Sequence, residues 1–439
     1  MKSPKRTLAI VASIVAMLGP GSVYSYSLFA GSLAASFHWT AVETTWGFAL
    51  SQFFLGLGAV FGGLLVRNFG PRRVALFGAL VWGLGNVATG TLTQSVGAPA
   101  FYLSYGVIGG LGIGMVYIAG LTVASRWFPH RRGFGTGLVV MGFGLGAFVY
   151  NTILKLTPQF REILTATAAV TKANSAAGSD AAHVLAPAMV HALMSLFTTS
   201  GIFFFAIGAI VSLFMATPPA DYVPPGQKVP VALPVVTPAQ MLATPQFYLL
   251  WIMLFLNVTA GAVVVSNAVG LMHELSGITP IEAGSWYAGL AIFNGLGRFF
   301  WGALSDRIGR RLAFALIFGI QVFAFVTLGS LSDMVMIAPV IAIVLLCYGG
   351  GFGVMPSMTS DYFGNEYFPI NYGLVVTAWG CAGVVGPSFA SAIKDLTGSV
   401  SGALVPMAIV LLVGILFPII SERAAPVRRA SGSAAAPAA

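Results

Sequence analysis

Twelve apolar runs dominate this 439-residue sequence, and each is long enough to cross a lipid bilayer as a helix. A transmembrane α-helix needs about 20 predominantly apolar residues. Charged residues make up only 8% of the chain, against about 25% in soluble domains. The runs lie at 7–34, 41–66, 72–94, 98–125, 133–157, 191–216, 246–273, 281–304, 310–331, 335–358, 370–394 and 399–421. The sequence therefore predicts an all-α membrane protein with twelve transmembrane helices in the lipid bilayer.

The basic residues are concentrated in alternate connections between these runs. With both termini on the cytoplasmic side, 16 of the 21 lysines and arginines fall in cytoplasmic segments. Cytoplasmic loops of membrane proteins carry such an excess. We therefore predict a multi-pass protein with both termini cytoplasmic. The net charge of +9 is then a signal of topology and does not indicate a nucleic-acid partner.

A repeated segment divides the chain into two similar halves. The segment GLLVRNFGPRR (63–73) follows the second run, and GALSDRIGRR (302–311) follows the eighth. Their first glycines are 239 residues apart, which is the spacing expected of a duplicated helical bundle. We therefore predict two pseudo-symmetric six-helix bundles, at 1–216 and 246–421.

Three further segments lie outside the twelve runs. The proline-rich stretch 217–245 cannot continue a helix, and we predict that it is a cytoplasmic linker. The Ala-, Ser- and Thr-rich stretch 158–190 is predicted to be a long outside loop of the first bundle. The small, polar segment 422–439 is predicted to be a disordered cytoplasmic tail.

The second copy of the repeat resembles the loop motif of the major facilitator superfamily, G-x-x-x-D-R-x-G-R-R, at every fixed position. The matching residues are Gly302, Asp306, Arg307, Gly309, Arg310 and Arg311. The glycine allows a tight turn, and the acid and the bases can pair between neighbouring helix ends. The first copy has Arg67 in place of the acid and Asn68 in place of the first arginine. We expect the second copy to act as a gate between the halves.

Arg298 is a candidate binding residue because it lies inside the eighth apolar run. A guanidinium does not lose its charge, and placing one at membrane depth is costly unless it faces an anion, a cavity or polar partners. No acidic residue lies within one helical turn of it, and its nearest polar neighbour is Asn294, on the same helix face. The pattern predicts an anion-binding site.

Residue sets that indicate catalysis or metal binding are missing from the twelve runs. The five histidines fall at loops or run ends, and the runs contain no paired carboxylates. The glycine-rich segments at 109–114 and 142–146 lie in apolar helices with no preceding strand, which favours close helix packing over phosphate binding. We therefore expect a protein that is not an enzyme and that binds no cofactor and no metal.

Four further segments resemble the monocarboxylate transporters and the bacterial oxalate/formate exchangers. They are GPGSVYSYSLFAGSL (19–33), SRWFPHRRGFGTGLVVMGFGLG (125–146), NGLGRFFWGALSDRIGR (294–310) and YGGGFGVMPSMTSDYFG (348–364). The resemblance covers most of 1–421 except the 158–190 stretch. It implies the major facilitator fold, transport by alternating access, and a small organic anion held between the halves. It also implies the inner membrane of a bacterium, and we expect a functional monomer.

The resemblance also implies the residues of the binding site. Arg298 matches the arginine of the eighth helix that binds the substrate carboxylate, and Asn294 lies one turn away. Tyr24 and Tyr117 match aromatic positions that face the cavity of the family, and Tyr348 matches a position that is often Trp in the exchangers. The apolar body of the substrate is expected to lie against Leu28, Leu145 and Trp379.

One departure from the exchangers bears on the substrate. These proteins carry a lysine in the eleventh helix, and the aligned residue here is Trp379. One cation balances one carboxylate, whereas a dianion would keep an uncompensated charge in a site of low dielectric constant. We therefore predict a small monocarboxylate such as lactate or pyruvate.

A second departure concerns protons. Many animal monocarboxylate transporters have an Asp four residues before the arginine, and Asn294 at that position cannot titrate. We expect symport with a proton that travels on the carboxyl group of the substrate, or through water and a peripheral group. An exchanger of two carboxylates is the main alternative, and a membrane sensor that binds an anion without transporting it is a second.

Overall fold

The computed structural model describes residues 4–158, 187–219, 222–223 and 234–423, and these residues form helices without a strand. The helices are α1 (Pro4–Gly21), α2 (Tyr26–Phe37), α3 (Ala41–Val96), α4 (Ala98–Phe101), α5 (Gly110–Trp127), α6 (Arg132–Leu154), α7 (Pro187–Ser212), α8 (Pro238–Leu242), α9 (Pro245–Ser276), α10 (Pro280–Leu290), α11 (Ile292–Ile308), α12 (Arg310–Leu328), α13 (Met334–Phe363), α14 (Phe368–Thr397), α15 (Leu404–Gly414) and α16 (Leu416–Arg423). A 3-10 turn, Ser22–Ser25, joins α1 to α2, and a π-helix, Tyr102–Gly109, joins α4 to α5.

The described helices account for all twelve predicted runs, which confirms the all-α membrane fold. Ten continuous helical segments, some of them made of consecutive helices, are long and apolar enough to span a membrane. One of these ten, α3, contains both the second and the third run. The eighth run is divided between α10 and α11, and each piece alone is too short to span. Most of the predicted loop 158–190, most of the linker 217–245 and almost all of the tail 422–439 lie outside the described residues.

Two glycines at equivalent places interrupt the helices where the repeated motif turns. Gly70 has φ of 77° inside α3, and Gly309 has φ of 89° at the end of α11. This left-handed conformation is accessible to glycine without the steric penalty that a Cβ would bring. The two residues are 239 positions apart, as the sequence repeat predicts.

Glycines also bring the two halves into close contact along α6 and α11. A Cβ placed on Gly144 of α6 would lie 2.5 Å from the Cα of Gly295 on α11. A Cβ on Gly137 would lie 2.6 Å from the carbonyl oxygen of Arg298. Small residues allow membrane helices to approach at backbone distance. The helix that carries Arg298 is therefore fixed directly against the first half of the protein.

A second pair of helices joins the halves in the same way. The first part of α3 packs against α14, where a Cβ on Gly63 would lie 2.4 Å from the carbonyl oxygen of Pro369. A Cβ on Gly380 would lie 2.9 Å from the Cα of Phe53. The space between these two helix pairs is where side chains of both halves converge on Arg298.

Candidate functional site

Arg298 of α11 contacts residues of both halves, and it is 0% exposed. Its Nε donates to Oδ1 of Asn294 at 3.3 Å, and its Nη2 donates to the hydroxyl of Tyr24 at 3.2 Å. Its Nη1 has no hydrogen-bond partner among the described residues. The ion pairs of the described chain all lie elsewhere. The guanidinium therefore has neutral partners, and its Nη1 amino group, which has two N–H donors, is left for an anion.

Aromatic rings surround this guanidinium. Its central carbon lies 4.4 Å from the ring centre of Phe352, 5.1 Å from that of Phe143, 5.8 Å from that of Trp379 and 5.9 Å from that of Tyr24. Ring faces attract a desolvated cation by about 2 kcal/mol. They offset part of the cost of burying the charge but add no negative charge. The site keeps a net charge of +1.

Two pairs of tyrosine hydroxyls cross the boundary between the halves beside the arginine. The hydroxyls of Tyr24 and Tyr348 lie 3.2 Å apart, and those of Tyr117 and Tyr372 lie 3.3 Å apart. Tyr24 also accepts from Arg298, so the first pair extends the arginine network. Each hydroxyl can rotate to donate to an anion.

Trp379 forms an apolar wall of this site and is 1% exposed. It stacks on Tyr24 with ring centres 6.4 Å apart, and its edge contacts to Tyr117 and Phe143 have centres at 5.6 and 5.2 Å. The ring supplies apolar volume beside the guanidinium and adds no charge to the site.

The local sequence explains how Tyr24 reaches the arginine. Pro20 lies inside α1 and cannot donate a backbone hydrogen bond, so the helix loosens into the 3-10 turn that carries Tyr24. Gly21 lies against the backbone of Phe143, where a Cβ would be 2.1 Å from a carbonyl oxygen. Proline and glycine together therefore set the position of this tyrosine.

The structure brings most of the predicted site residues together. Asn294, Tyr24, Tyr348 and Trp379 contact Arg298 or its hydrogen-bonded partners, and Tyr117 packs on Trp379. Leu145 lies on α6, where a Cβ on Gly295 would be 2.7 Å from its side chain. Leu28 is 38% exposed and does not line the cavities described below. The substrate-binding roles of these residues remain predictions.

Three aromatic residues of the site were not predicted from the sequence. Phe352 follows Tyr348 by four residues, and Tyr372 precedes Trp379 by seven, so helical periodicity places each on the face of a predicted residue. Helical periodicity could therefore have identified Phe352 and Tyr372 from the sequence. Phe143 carries no such signal, because only the crossing of α6 with α11 brings it to the guanidinium.

A cavity of about 170 Å³ lies between the halves, on the side of Arg298 away from the repeated motif. We call it the outer cavity. Its lining includes Tyr24, Gln52, Tyr287, Tyr348, Trp379 and Gly383. A wider cleft of about 440 Å³ continues from it towards Asp395 and Trp46. The hydroxyls of Tyr24 and Tyr348 thus lie between the outer cavity and Arg298.

Asp306 of the repeated motif closes the opposite end of the molecule, which we call the motif end. Its carboxylate accepts from the backbone N–H groups of Gly133 and Phe134, at 3.0 and 2.7 Å, at the start of α6. It also pairs with Arg310 at 2.7 Å. The positive end of a helix favours a carboxylate, so this contact joins the second half to the first.

Asp361 makes a second connection at the motif end. It pairs with Arg132 of the first half at 2.7 Å and with Arg310 of its own half at 3.0 Å. The carboxylate is therefore shared by two guanidinium groups that belong to different halves. The sequence places Asp361 among the acids at helix ends that could act as gates or solvated caps, but it does not indicate Arg132 as a partner.

Arg67 replaces the acid of the first copy and forms a different contact between the halves. Its guanidinium lies 4.3 Å from the ring centre of Tyr367 and donates to the hydroxyl at 3.3 Å. Tyr367 directly precedes α14, and Gly133 and Phe134 lie in the first turn of α6. In the first half, the cation–ring contact of Arg67 with Tyr367 thus replaces the contact that Asp306 of the second half makes with the start of α6.

The remaining motif residues have simpler surroundings. Gly302 packs against Gly133, where its Cβ would lie 2.5 Å from a carbonyl oxygen, and Gly309 provides the turn. Arg307 is exposed and Arg311 is partly buried. The gating role of the whole motif remains a prediction.

We expect Asp361→Asn to slow transport by roughly tenfold. The change removes the anion shared by Arg132 and Arg310, and Arg132 is only 9% exposed. Asp361 is itself partly exposed, so we expect the free energy that favours the closed motif end to fall by only about 1–2 kcal/mol. This corresponds to a change of roughly 5–30-fold in the ratio of closed to open motif ends. Initial uptake rates in proteoliposomes measure the effect. Asp333→Asn at the other end of α13 is the matched control, and an equal loss there would contradict the role of Asp361.

Groups of three or more His, Cys, Asp or Glu that could hold a metal ion are not found in the described part of the chain. Cys347 and Cys381 are free thiols. The charged and polar groups that converge on Arg298 are those described above, and they suit an anion.

Comparison with known proteins agrees with this arrangement. The family model of the Major Facilitator Superfamily matches residues 11–156 and 250–439. The oxalate:formate antiporter of Oxalobacter formigenes is 30% identical over 400 residues, which cover 89% of this chain and 85% of that protein. Monocarboxylate transporter 14 of Mus musculus is 32% identical over 119 residues, 27% of this chain and 23% of that protein.

A solved structure supports the fold independently. The fucose:proton symporter FucP of E. coli superposes with a TM-score of 0.67 at 16% sequence identity, covering 94% of this chain and 98% of that one. The resemblance inferred from the sequence motifs is therefore confirmed, and so is the twelve-helix architecture. This chain belongs to the major facilitator superfamily of membrane transporters.

Proposed function

We propose that this transporter moves a small monocarboxylate across the membrane by alternating access. The observation that carries the proposal is the state of Arg298, which is fully buried, has neutral partners and keeps its Nη1 amino group unpartnered among the described residues. A guanidinium binds a carboxylate through two parallel hydrogen bonds. A carboxylate would supply the charge that the surroundings of Arg298 lack.

The net charge of the site favours a monoanion. Trp379 occupies the position at which the related exchangers are expected to carry a lysine, and it contributes volume without charge. A dianion would leave one negative charge desolvated, and removing one partner from a buried pair costs about 3–5 kcal/mol. Lactate, pyruvate and acids of similar size fit this balance.

The relatives support a carboxylate as the substrate. One is named an oxalate:formate antiporter and another a monocarboxylate transporter. Formate and other monocarboxylates have the single negative charge that Arg298 can balance. The aromatic wall formed by Trp379, Phe143 and Phe352 suits a small apolar body beside that charge.

Alternating access follows from the charge of the site. The carboxylate binds Arg298 from the outer cavity, and the hydroxyls of Tyr24 and Tyr348 donate to it. A neutralised arginine lowers the cost of excluding water, so the outer side can close. The ion pairs of Asp361 then break and the motif end opens. Binding energy gained at Arg298 thereby drives the exchange of contacts between the halves.

We propose that a proton accompanies the anion. An anion moving alone into a cell would oppose an inside-negative potential, at about 2.3 kcal/mol per charge for each 100 mV. Asn294 cannot carry this proton although it contacts Arg298. The proton would then travel on the carboxyl group of the substrate, or through water and a peripheral group.

An exchanger of two carboxylates is the second candidate. The 30% identity with the oxalate:formate antiporter, over most of both chains, favours it. An unneutralised Arg298 would make closure of the carboxylate-free site costly, so that every return step would need a second carboxylate.

We further propose a bacterial inner membrane, a functional monomer, and a cytoplasmic location for the motif end and both termini. The basic residues Arg67, Arg307 and Arg310 lie at the motif end, as the positive-inside rule expects of a cytoplasmic surface. The outer cavity would then face the cell exterior.

Uptake of labelled L-lactate into proteoliposomes tests the proposal. We expect accumulation driven by an inward proton gradient, and no need for a carboxylate inside the vesicles. Uptake that requires vesicles preloaded with a carboxylate would establish the exchanger instead. An uptake current that shows net movement of negative charge would contradict proton symport. Absence of transport of every carboxylate tested under both conditions would contradict the proposed function.

A further inference from the structure

The outer cavity contains a buried amide that the binding of a carboxylate does not use. Gln52 of α3 lines the cavity with Tyr24, Tyr348 and Trp379, all three of which contact Arg298 or its hydrogen-bonded partner. The Gln52 side chain is 1% exposed, and its Oε1 has no hydrogen-bond partner among the described residues. A buried polar atom without a partner is costly, so its retention calls for an explanation.

The packing around Gln52 holds this amide in place. A Cβ on Gly383 of α14 would lie 2.8 Å from the Cβ of Gln52 and 3.2 Å from its Cγ. A side chain at position 383 would therefore displace the stem of the glutamine. The glycine allows Gln52 to lie between the two helices, where it borders the cavity shared by both halves.

The neighbouring hydroxyl of Ser266 is already used within its own helix. Ser266 donates to the carbonyl oxygen of Ala262 at 2.6 Å and accepts from Asn267 at 2.9 Å. The hydroxyl of Tyr24 likewise bonds Arg298 and Tyr348. Gln52 thus borders a cavity in which the hydroxyls of Ser266 and Tyr24 have other partners.

We infer that Gln52 accepts a hydrogen bond from a hydroxyl group of the substrate, so that the preferred substrates are small hydroxymonocarboxylates. This inference rests on the proposed function, because the carboxylate must first be held by Arg298. A hydroxyl close to the carboxylate is a donor, which matches the acceptor Oε1. An oxo group in the same place is an acceptor and offers no hydrogen for it.

The position of Gln52 also predicts how the transporter discriminates between acids with and without a hydroxyl group. An acid that lacks the hydroxyl leaves the buried Oε1 without a donor in the closed state. Sites built to bond a hydroxyl reject analogues that lack it, and loss of one such bond corresponds to about a tenfold to hundredfold effect. We therefore expect L-lactate to exceed propanoate in kcat/KM by at least about tenfold, and to exceed pyruvate by a similar factor.

Transport of L-lactate, propanoate and pyruvate by wild type, Gln52→Met and Gln240→Met tests the inference in proteoliposomes. Gln240 is exposed at the start of α8 and serves as the matched control. We expect the lactate-to-propanoate ratio to fall to within about twofold of unity in Gln52→Met and to stay unchanged in Gln240→Met. Each ratio is measured within one preparation and does not depend on the amount of folded protein.

The outcomes separate this inference from the proposed function. Transport of carboxylates with a ratio that Gln52→Met leaves unchanged overturns the role of Gln52 alone. A wild-type preference for pyruvate or propanoate over L-lactate also overturns it. If the wild type transports none of the three acids, the proposed function fails, and the inference fails with it.

Discussion

Replacing Arg298 with glutamine should reduce carboxylate uptake by about 100-fold or more. The change removes the fully buried positive charge and the unpartnered Nη1 while keeping a polar side chain of moderate length. Charge-assisted hydrogen bonds contribute about 1.5–3 kcal/mol, and 1.4 kcal/mol corresponds to a factor of ten. Arg298→Lys keeps the charge but loses the two-pronged geometry, so we expect an intermediate loss. Initial uptake rates of L-lactate over a range of concentrations measure both variants.

Arg126→Gln provides the matched control for these variants. Arg126 lies in the last turn of α5 and is exposed, so the same substitution there should change uptake by less than about twofold. An Arg298→Gln variant that retains the wild-type KM and rate would show that the carboxylate binds elsewhere. Loss of uptake in both variants would point to a general effect of removing membrane arginines.

Gly353→Ala should lower the thermal stability of the protein and its uptake together. A Cβ at this position would lie 2.0 Å from the carbonyl oxygen of Arg298, so α13 and α11 would have to separate. Overpacking costs about 1–3 kcal/mol, which exceeds the gain in helix propensity of up to about 1 kcal/mol. The displaced helix carries the guanidinium itself. The melting temperature in detergent and the uptake rate report the two effects.

Gly289→Ala is the control for this substitution. Nothing lies within 4 Å of a Cβ placed on Gly289 of α10, so alanine should leave stability unchanged or raise it slightly. A stabilised Gly353→Ala variant would show that α11 and α13 have room to move apart. Equal destabilisation at both glycines would indicate that helix flexibility, and not close packing, is what these residues provide.

The sequence predicted the fold well because membrane insertion leaves few alternatives. Twelve apolar runs and one repeated motif were sufficient to predict the all-α architecture and the two halves. The break between Leu290 and Ile292, which divides the eighth run into α10 and α11, was not predicted. Gly289 precedes the break, but with 54 glycines in the chain it does not stand out as a signal.

Arg298 at the centre of the site could also be predicted from the sequence, since an arginine in an apolar run is rare and costly. The residues that surround Arg298 were harder to predict. Phe143 and Gln52 reach the site through helix crossings set by Gly144 and Gly383, and such crossings depend on packing between elements far apart in the chain. Asp361 lies in the last turn of α13, but its sharing by Arg132 and Arg310 depends on how the halves meet.

Equilibrium binding of L-lactate to the purified protein tests the central role of Arg298 most directly. Titration calorimetry on wild type, Arg298→Gln and Arg126→Gln separates binding from every later step of transport. We predict saturable binding of one L-lactate per chain in wild type and Arg126→Gln, weaker binding of the dianion oxalate, and no measurable binding in Arg298→Gln. Equal affinity of wild type and Arg298→Gln for L-lactate would contradict the assignment of this arginine as the carboxylate-binding residue.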